Sequence, residues 1–566
     1  MKYRLVKRMK RLVAMTAALV LCLTSVASME VKAIGAESAI AVGIDVSKYQ
    51  GPIDWGAVAA QGITFSFVKV GSSKSGIDPY FDANMRGSNA AGLRTGVYIY
   101  SYATSVEGAI AEANWVLSVI DPYPVSFPVV CDIEDAVHKN IDPGTLSLMS
   151  NAFCTVIEEA GYYPMVYSGR NFFRDRLPAV TFDKWVAQYA AALEYEGASI
   201  WQATSKGALA GINGNVDMNY LFKDYTGLII PYGWLPRKGA YYFYENWKLK
   251  KGWIDYNGAK YYSDSLGRMV TGWQKLDEGG VRYFREDGIM SVGFNSIAEK
   301  FYYFDPNGYM LTGMQDIGGF KFLFGEDGVM YTGWHNDGVH TRYFMANGAM
   351  ATNLQKIGEA YYYFDGDGYM QTGFVPINGY TFYFDATGVL QKGWISDGTY
   401  RYYFNPANGA MTTGVINIDG QIYSFDEKGH MQTGFVVVNG QKFYFSPADG
   451  TLQKGWLTEG TNRYYLGANG AMATNWQLID GSYYYFDPAT GAMLTYNWVD
   501  AGNGQKFFVG LDGRMMTGWQ QIDGRVYYFA ENGLLVTNAQ MVVNGVLYQL
   551  DATGAATAIG VAPAVQ

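Results

Sequence analysis

The hexapeptide VVCDIE, at residues 129–134, joins an apolar strand to two acids at its carboxyl end, Asp132 and Glu134. Successive side chains of a strand point to opposite faces, so the two carboxylates share one face while Cys131 and Ile133 share the other. Acids on one face repel each other and their pKa values are pushed apart, as acid-assisted cleavage of a glycosidic bond requires. Because an isolated Asp-x-Glu is more often a solvated strand end, the neighbouring sequence decides between these interpretations.

Around this hexapeptide, short β-rich apolar runs alternate with helical patterns. We predict strands near 41–46, 64–70, 95–102, 127–134, 164–168, 184–189, 199–203 and 215–218, and helices near 53–61, 79–91, 106–120, 143–160 and 170–176. The first five strands are each followed by a helix, whereas the last three lie too close together for complete βα units. This α/β pattern predicts a degenerate (β/α) barrel over residues 41–225, with its chemistry at the carboxyl ends of the strands.

Two further acids end predicted strands, Asp45 in the first strand and Asp217 in the last. The first and last strands of a closed barrel are neighbours, so these two side chains are expected to converge on one side of the barrel mouth. Unpaired acids in a cleft cost stability. Four of them at one mouth therefore favour a catalytic role over maintenance of the fold.

Four aromatic residues also occupy predicted strand ends, namely Tyr98, Tyr167, Tyr189 and Trp201. At the mouth of a barrel such rings stack on sugar rings and bind substrate. Packing in the core explains each of them equally well, so both interpretations stay open here.

From about residue 232 to residue 557 the sequence becomes a repeat of about fifteen units with a period of 20–22 residues. Each unit has an apolar anchor after Gly or Asn, a polar turn, an aromatic pair such as Tyr283-Phe284, and a Gly turn such as Asn307-Gly308. The anchors are Trp253, Trp273, Phe294, Met314, Trp334, Leu354, Phe374, Trp394, Val415, Phe435, Trp456, Trp476, Trp498, Trp519 and Ala539. Aromatic strands joined by Asn-Gly and Asp-Gly turns are typical of β-hairpins, which are marginal alone in water. The tail is therefore predicted to be an all-β solenoid of stacked hairpins, with most of its aromatic residues in the core.

The first 33 residues carry seven Lys or Arg around one apolar run, Leu12 to Leu23. This pattern predicts a secretory signal peptide at residues 1–33. The apolar run is shorter than the roughly 20 residues that cross a bilayer, and no later stretch qualifies. We therefore expect a secreted protein without a membrane span.

Charge and composition restrict the partners. Loss of residues 1–33 removes seven basic residues and one acid, which changes the formal net charge from −9 to −15. A chain this acidic is repelled by polyanions, which argues against nucleic acid as a partner. Only four His and no CxxC spacing leave little material for a metal site, so no metal and no cofactor are expected. The two remaining cysteines, Cys131 and Cys154, are compatible with a disulfide or with two buried thiols.

Five motifs follow one another in a specific order: GIDVSKYQGPIDW at residues 43–55, Asp78-Pro79, Asp132-Ile133-Glu134, Trp201-Gln202 and Val216-Asp217-Met218-Asn219. Together they resemble the family-25 glycoside hydrolases, which are lysozyme-type N-acetylmuramidases. The resemblance implies a barrel that cuts the β-1,4 bond after N-acetylmuramic acid in peptidoglycan. It implies Glu134 as general acid/base and Asp132 as its partner, with Asp45 and Asp217 as supporting acids. Either a carboxylate or the substrate's own acetamido oxygen would stabilise the developing positive charge, and Asp-x-Glu on one strand favours the acetamido route.

The chain departs from the family pattern at two places. Where the family reads Lys-Ala-Thr-Glu-Gly, residues 69–73 read KVGSS, so that Ser72 replaces an acid. Where the family reads Tyr-His-Phe, the chain has Tyr98-Ile99-Tyr100. The lysine that opens the family's Lys-Ala-Thr-Glu-Gly is retained as Lys69, which we assign to substrate binding. The changes concern subsite contacts and leave the four acids in place.

The tail resembles cell-wall-binding repeats of the choline-binding and glucan-binding type, through motifs such as Thr271-Gly272-Trp273 and Thr517-Gly518-Trp519. In the choline type, rings of successive repeats form a cage that holds a quaternary ammonium by cation–π attraction. We expect cages where Trp anchors are consecutive, at the two ends of the array: Trp253, Trp273, Trp456, Trp476, Trp498 and Trp519. Stacking of sugars along an aromatic groove is the alternative.

Together these features predict a secreted peptidoglycan hydrolase that is associated with the cell wall through its repeats. Its expected partners are peptidoglycan glycan strands and a wall polymer, either choline-decorated teichoic acid or another glycan. The alternative is a non-catalytic adhesin or wall-binding protein that keeps an inactive barrel.

Overall fold

The computed structural model describes residues 33–276 and 280–561. Almost all of the predicted signal peptide, residues 1–32, lies outside these ranges. The chain divides into two compact units; the first runs to Gly313 and includes Phe324–Val329, and the second comprises Met314–Leu323 and the chain from Met330 onward. In the part of the chain that is described, no helix is long and apolar enough to cross a membrane.

The amino-terminal part alternates strands and helices as the sequence predicts. Its strands are β1 (Ala41–Val46), β2 (Phe65–Ser72), β3 (Gly76–Ile77), β4 (Arg94–Tyr100), β5 (Val129–Asp132), β6 (Pro164–Gly169), β7 (Asp183–Ala187), β8 (Ile200–Gly207) and β9 (Val216–Leu221). Its helices are α1 (Trp55–Ala59), α2 (Phe81–Ala90), α3 (Val106–Ile120), α4 (Pro143–Glu159) and α5 (Arg170–Asp175), with short 3-10 helices at Ala36–Ser38, Lys48–Gln50 and Ala136–Asn140. Side-chain caps begin several helices: Ser105 accepts a hydrogen bond from the Gly108 amide and Asp142 accepts one from Thr145. Such caps satisfy amides that the first helical turn leaves free.

The strands close into a barrel. Their order is β1-β9-β8-β7-β6-β5-β4-β2, and β2 pairs with β1 to complete the circle, while β3 extends β2 on the outside. Within the closed circle the pairs from β1 through β8 are parallel, but β9 runs antiparallel to both β8 and β1, and the added strand β3 is antiparallel to β2. The described residues contain no helix between β7 and β9. The prediction of an α/β barrel with a degenerate final third is therefore confirmed.

Aromatic side chains fill the inside of the barrel. Phe65, Phe67, Met165, Trp185 and Ile200 form one buried cluster, in which the rings of Phe67 and Trp185 stack at 4.4 Å between centroids. A second buried cluster lies between the outer faces of the strands and the helices. The inner cluster fills the barrel below the carboxyl ends of its strands, and a cleft lies at that mouth.

A hairpin follows at every predicted anchor of the tail. The first strands are Tyr232–Arg237, Ala240–Glu245 and Lys248–Leu249; the later pairs are Gly252–Tyr256 with Ala259–Ser263, Gly272–Lys275 with Val281–Phe284, Gly293–Ile297 with Lys300–Phe304, Gly313–Ile317 with Phe320–Phe324, Gly333–Asn336 with Thr341–Phe344, Asn353–Ile357 with Ala360–Phe364, Gly373–Ile377 with Tyr380–Phe384, Gly393–Ser396 with Arg401–Phe404, Gly414–Ile418 with Gln421–Phe425, Gly434–Val438 with Gln441–Phe445, Gly455–Glu459 with Asn462–Leu466, Asn475–Ile479 with Ser482–Phe486, Asn497–Asp500 with Lys506–Val509, Gly518–Ile522 with Arg525–Phe529, and Ala539–Val543 with Val546–Leu550, to which Ala556–Val561 is added. The final aromatic residue of the second strand is fully buried in several of them, as at Phe344, Phe364, Phe384 and Phe404.

Two kinds of glycine hold these hairpins together. In the two-residue loop Asn378-Gly379 both residues have positive φ, at 50° and 83°, as a type I′ turn requires. Gly388 instead makes room for the neighbouring hairpin, because a Cβ placed there would lie 2.4 Å from the sulfur of Met370. The recurring Met and Gly of the sequence are therefore partners across successive hairpins.

Candidate active site

Four carboxylates lie at one mouth of the barrel. Asp45 lies near the end of β1 and Asp132 ends β5, while β9 begins at Val216 and runs the other way, so Asp217 reaches the same mouth. Glu134 follows β5 by two residues. The Cα atoms of Asp45 and Asp217 are directly paired across β1 and β9. The structure thus brings all four predicted acids to one cleft, which has a volume of about 620 Å³.

Strand β5 is shorter than the prediction of 127–134 and begins only at Val129. The preceding Pro128 has no amide hydrogen for a hydrogen bond between strands, so β5 does not extend further toward the amino terminus. Glu134 consequently lies beyond the strand rather than on it, yet it still faces the cleft beside Asp132.

Two amide side chains fix the carboxylate of Asp45. Gln202 Nε2 and Asn219 Nδ2 each donate a hydrogen bond of 2.9 Å to Asp45 Oδ2. All three side chains are buried. Because Gln202 lies on β8 and Asn219 on β9, the antiparallel end of the barrel is what positions this acid.

The orientation of both amides is set by their other partners. Tyr167 and Tyr189 donate hydrogen bonds of 2.8 Å and 3.0 Å to Gln202 Oε1. Trp185 Nε1 donates one of 2.7 Å to Asn219 Oδ1. With their oxygens occupied by donors, the two amides direct their NH₂ groups toward Asp45.

Asp132 is buried, and its Oδ1 atom has no hydrogen-bond partner among the described residues. Burial raises the pKa of this carboxyl well above its ordinary value, and the nearby charge of Glu134 raises it further, while the Lys69 ammonium opposes both. A buried acceptor without a donor costs free energy. It is available for a donor that a ligand would bring.

Glu134 is exposed at the rim of the cleft. The cleft walls nevertheless desolvate its carboxyl and raise its pKa; the Lys69 ammonium lowers it, and the charge of Asp217 adds to the increase. The Lys69 ammonium itself lies 4.8 Å from the ring centroid of Tyr100 and 5.7 Å from that of Tyr98. One cation therefore sits among the acids and moderates their repulsion.

Asp45 and Asp217 also have raised pKa values. Burial and the charge of Asp217 raise the pKa of Asp45 to about 7, against the effect of its two amide donors. Burial raises the pKa of Asp217 to about 6. Both carboxyls of this pair are therefore weaker acids than an exposed aspartate.

Three of the four predicted aromatic residues line the cleft, namely Tyr98, Tyr167 and Tyr189. The placement of Trp201 at the cleft is wrong: its ring is 1% exposed in the outer core, and Nε1 donates to the carbonyl oxygen of Gln188. The reason is strand alternation, because the next residue, Gln202, points inward. The sequence reasoning therefore missed Gln202, although the same alternation rule would have found it.

The two cysteines are free and buried. Cys131 lies on the outer face of β5, opposite Asp132, and packs with Cys154 of α4 in the outer cluster. Between the two interpretations of these cysteines, the structure shows two buried thiols.

Three-ring clusters recur along the tail. Trp334 lies 4.9 Å from Tyr343 of its own hairpin and 4.9 Å from Tyr362 of the next, measured between centroids, and both pairs cross at 68°. Trp273 is surrounded in the same way at 4.9 Å and 5.0 Å. Clusters of this kind also form around Phe374, Trp394, Phe435, Trp456, Trp476, Trp498 and Trp519.

Ring clusters are not restricted to the two ends of the array, since Trp334 and Trp394 also form them; the location of cation cages at the ends stays a prediction. Each cluster uses one anchor and takes its other rings from second strands, so consecutive Trp anchors are not required. At Trp253, one of the predicted cage residues, the place of the third ring is taken by Arg282, whose guanidinium lies 5.0 Å from the indole centroid.

A closed barrel with carboxylates at the carboxyl ends of its strands, joined to a series of aromatic hairpins, defines a lysozyme-type glycoside hydrolase. Residues 44–212 match the family model described as glycosyl hydrolases family 25. Residues 250–292, 311–354, 371–413, 432–475, 453–498 and 516–558 match that of a choline-binding repeat, and residues 292–310 and 352–370 match that of a putative cell wall binding repeat.

Similar proteins include the uncharacterised protein YegX of Escherichia coli K12, which is 31% identical over 188 residues, covering 31% of this chain and 68% of that protein. The autolytic lysozyme of Clostridium acetobutylicum is 26% identical over 181 residues, covering 31% of this chain and 54% of that protein. The crystal structure of choline binding protein F from Streptococcus pneumoniae is 25% identical, covers 51% of this chain and 99% of that one, and has a TM-score of 0.30. The chain belongs to glycosyl hydrolase family 25 and carries choline-binding repeats.

Proposed function

We propose that the barrel is an N-acetylmuramidase that cleaves the β-1,4 bond between N-acetylmuramic acid and N-acetylglucosamine in peptidoglycan. The observation that carries this proposal is the cleft that holds Asp132 and Glu134 side by side at the end of β5, with an unsatisfied acceptor on the buried Asp132. A peptidoglycan hydrolase with wall-binding repeats is the broader assignment that the family models support.

Glu134 is the proposed general acid. It would donate its proton to the glycosidic oxygen as the bond from that oxygen to C1 breaks. This role requires a carboxyl that is still protonated near neutral pH, and the raised pKa of Glu134 supports it. Its exposure at the rim leaves room for the leaving sugar on one side.

Asp132 is proposed to act through the 2-acetamido group of the substrate. Its free Oδ1 would accept the acetamido N–H while the acetamido oxygen attacks C1 and forms a cyclic oxazolinium ion. Positive charge develops on that nitrogen in the transition state, so the bond to Asp132 becomes stronger there than in the ground state. Water then adds to C1, gives its proton to the Glu134 carboxylate and reopens the ring.

The remaining groups of the cleft have supporting roles in this proposal. Asp45, held by Gln202 and Asn219, would supply negative potential beside the reacting sugar, and Asp217 would share that task. Tyr98 and Tyr189 offer ring faces for sugars, and Lys69 offers a hydrogen-bond donor.

The tail is proposed to bind choline groups of a wall polymer. The rings around Trp334 lie 4.9 Å apart and cross at 68°, so they do not offer one flat platform for a sugar ring, whereas a compact cation can contact several crossed rings at once. Several weak sites on one chain give strong retention through avidity. With the predicted signal peptide, this makes the protein a secreted enzyme that is anchored to the cell wall.

A turbidity assay on purified peptidoglycan tests the catalytic assignment. Wild-type protein is expected to clear the suspension, and Glu134→Gln is expected to lose roughly 10³-fold or more in rate. Asp142→Asn is the matched control, because Asp142 caps α4 through the Thr145 amide and asparagine caps a helix equally well. Equal clearing by Glu134→Gln and wild type, or no clearing by wild type, would contradict the assignment.

A further inference from the structure

Three hairpins of the tail place a cation over their own anchor ring. The Arg401 guanidinium lies 4.5 Å from the indole centroid of Trp394, and that of Arg463 lies 4.5 Å from Trp456. In a third hairpin the Lys442 ammonium lies 5.2 Å from the ring of Phe435. A cation at this distance is within the range of cation–π attraction.

The cation occupies the same register position each time. Trp394 pairs with Tyr403 and Ser396 pairs with Arg401, so the arginine and the two cluster rings project from one face of the hairpin. The hairpin of Trp456 repeats this arrangement, with Tyr465 opposite the anchor and Arg463 two residues earlier. The arginine therefore lies on the face of the hairpin that carries the anchor and its paired tyrosine.

Neither arginine is held elsewhere by an acid. Among the ion pairs of residues 33–276 and 280–561, none involves Arg401 or Arg463. Lys260, at the equivalent position of the Trp253 hairpin, is instead bound to Asp255 at 2.7 Å. The indole is thus the main partner of each arginine.

The hairpin of Trp334 shows the same cluster without a cation. Its equivalent position holds Thr341, whose hydroxyl accepts a hydrogen bond of 2.8 Å from Asn336. In the described part of the chain no Lys or Arg lies over this indole, which is 46% exposed, whereas Trp394 and Trp456 are less exposed. One tail therefore contains matched clusters with and without an internal cation.

We propose that Arg401 and Arg463 are built-in occupants of the clusters at Trp394 and Trp456, which are thereby closed to an external quaternary ammonium, while the cluster at Trp334 is open to one. The inference rests on the proposed choline-binding role of the tail. An incoming ammonium has to displace the guanidinium from the ring and meets its charge within a few ångströms, so both effects weaken binding. The residue two positions before the tyrosine that pairs with the anchor, as Arg401 before Tyr403, then decides which repeats bind choline.

A reciprocal exchange in the full-length chain tests this inference. The chain is labelled with 5-fluorotryptophan, and the ¹⁹F resonances of Trp334 and Trp394 are assigned through single Trp→Phe variants. Choline chloride is then titrated at constant ionic strength. In the wild type, Trp334 is expected to respond at choline concentrations roughly tenfold or more below those that affect Trp394.

Two variants exchange the deciding residue. In Arg401→Thr the midpoint for Trp394 is expected to fall to that of Trp334, and in Thr341→Arg the midpoint for Trp334 is expected to rise roughly tenfold. Arg285→Thr is the control for charge, because Arg285 pairs with Asp287 in a turn. It should leave both midpoints unchanged. Since each exchange copies a residue that the same register position already carries, the hairpin fold is retained.

The outcomes separate the two proposals. This inference is overturned if Trp394 responds at the same choline concentration as Trp334 in the wild type. It is also overturned if Arg401→Thr does not move the midpoint of Trp394 and Thr341→Arg does not move that of Trp334, because the internal cations then do not close the clusters. If no tryptophan of the tail responds to choline, the choline-binding proposal fails, and this inference fails with it.

Discussion

Asp132 is the residue on which the proposed chemistry depends most, because it is buried with an unsatisfied oxygen. Asp132→Asn keeps the size of the side chain and an acceptor oxygen but removes the charge that stabilises a developing cation. We expect kcat to fall roughly 10²–10³-fold with little change in KM, since the interaction strengthens in the transition state. Steady-state kinetics on a soluble peptidoglycan fragment measure both constants. An increase in KM alone would show that Asp132 only binds the substrate.

The pH profile tests the place of Lys69. The general acid has to be protonated, so activity is lost as the pH rises through the pKa of Glu134. The Lys69 ammonium lowers the pKa of both Glu134 and Asp132. In Lys69→Met both pKa values rise, and the alkaline limb of kcat/KM is expected to move to higher pH. Lys300→Met, an exposed change in the tail, serves as control and should not move the limb.

Asp45 is expected to cost stability at alkaline pH. Its pKa is raised from 3.8 to about 7 in the folded chain, so the folded state binds the proton more tightly than the unfolded state. The contribution of Asp45 to the free energy of unfolding is therefore complete below its ordinary pKa and is lost as the pH rises toward 7. Asp45→Asn should therefore stabilise the barrel by on the order of 2 kcal/mol at pH 8 and by little at pH 4, while it lowers activity. Thermal unfolding at both pH values measures this.

Asp82→Asn is a control of opposite sign. Hydrogen bonds from Tyr123 and Arg86 lower the pKa of Asp82, so its contribution is present at pH 8 and is lost as the pH falls. It should destabilise the barrel slightly at pH 8. A pH-independent gain from Asp45→Asn would show that the charge of Asp45 is not the cause.

At the residue scale, sequence reasoning identified the acids by placing each at the end of an apolar strand, which holds for Asp45, Asp132 and Glu134. Asp217 instead lies at the start of β9, and the antiparallel direction of that strand brings it to the same mouth. The alternation of side chains along β8 would also have predicted that Gln202, and not Trp201, points into the cleft. The hydrogen bonds from Gln202 and Asn219 to Asp45 were out of reach, because they depend on how β9 pairs with β1 and β8. That antiparallel register arises from barrel closure and has no local signal.

At the element scale, the hairpin repeat depends on glycines with two different tasks. Gly379 and Gly388 both have positive φ, at 83° and 82°, but a Cβ meets nothing at Gly379 and meets the Met370 sulfur at 2.4 Å at Gly388. Gly379→Ala is expected to cost about 1 kcal/mol from backbone strain alone. Gly388→Ala should cost about 1–3 kcal/mol more, because the neighbouring methionine has to move.

Hydrogen exchange of the surrounding hairpins measures this difference locally. Equal costs at the two positions would show that Met370 yields freely and that the Met and Gly contact does not hold the hairpins together.

The anchors, spaced 20–22 residues apart, predicted where each hairpin lies. The composition of the aromatic clusters was not predictable from the anchors. A cluster takes Tyr343 from one hairpin and Tyr362 from the next, so it depends on how hairpins stack rather than on the pattern within one repeat. For the same reason the anchors did not indicate that Arg282, rather than a ring, lies beside Trp253.

At the scale of the whole molecule, the barrel is proposed to cleave the wall and the tail to retain the protein on it. Residues 232–566 alone are expected to bind purified choline-containing cell walls without clearing them, and free choline is expected to elute them, because it competes for the same clusters. A pull-down with a choline gradient measures retention, and an equal concentration of sodium chloride is the control. Retention that choline does not affect would indicate glycan stacking instead.

Glu134 and Asp132 are proposed to cut the glycan strand after N-acetylmuramic acid. Mass spectrometry of peptidoglycan fragments after digestion and borohydride reduction tests it most directly, because reduction marks the newly formed reducing end. Fragments made by the wild type and by Asp142→Asn are expected to end in reduced N-acetylmuramic acid, and none above background is expected with Glu134→Gln. Reduced N-acetylglucosamine, cleaved peptide bonds with intact glycan strands, or an equal yield from Glu134→Gln would contradict it.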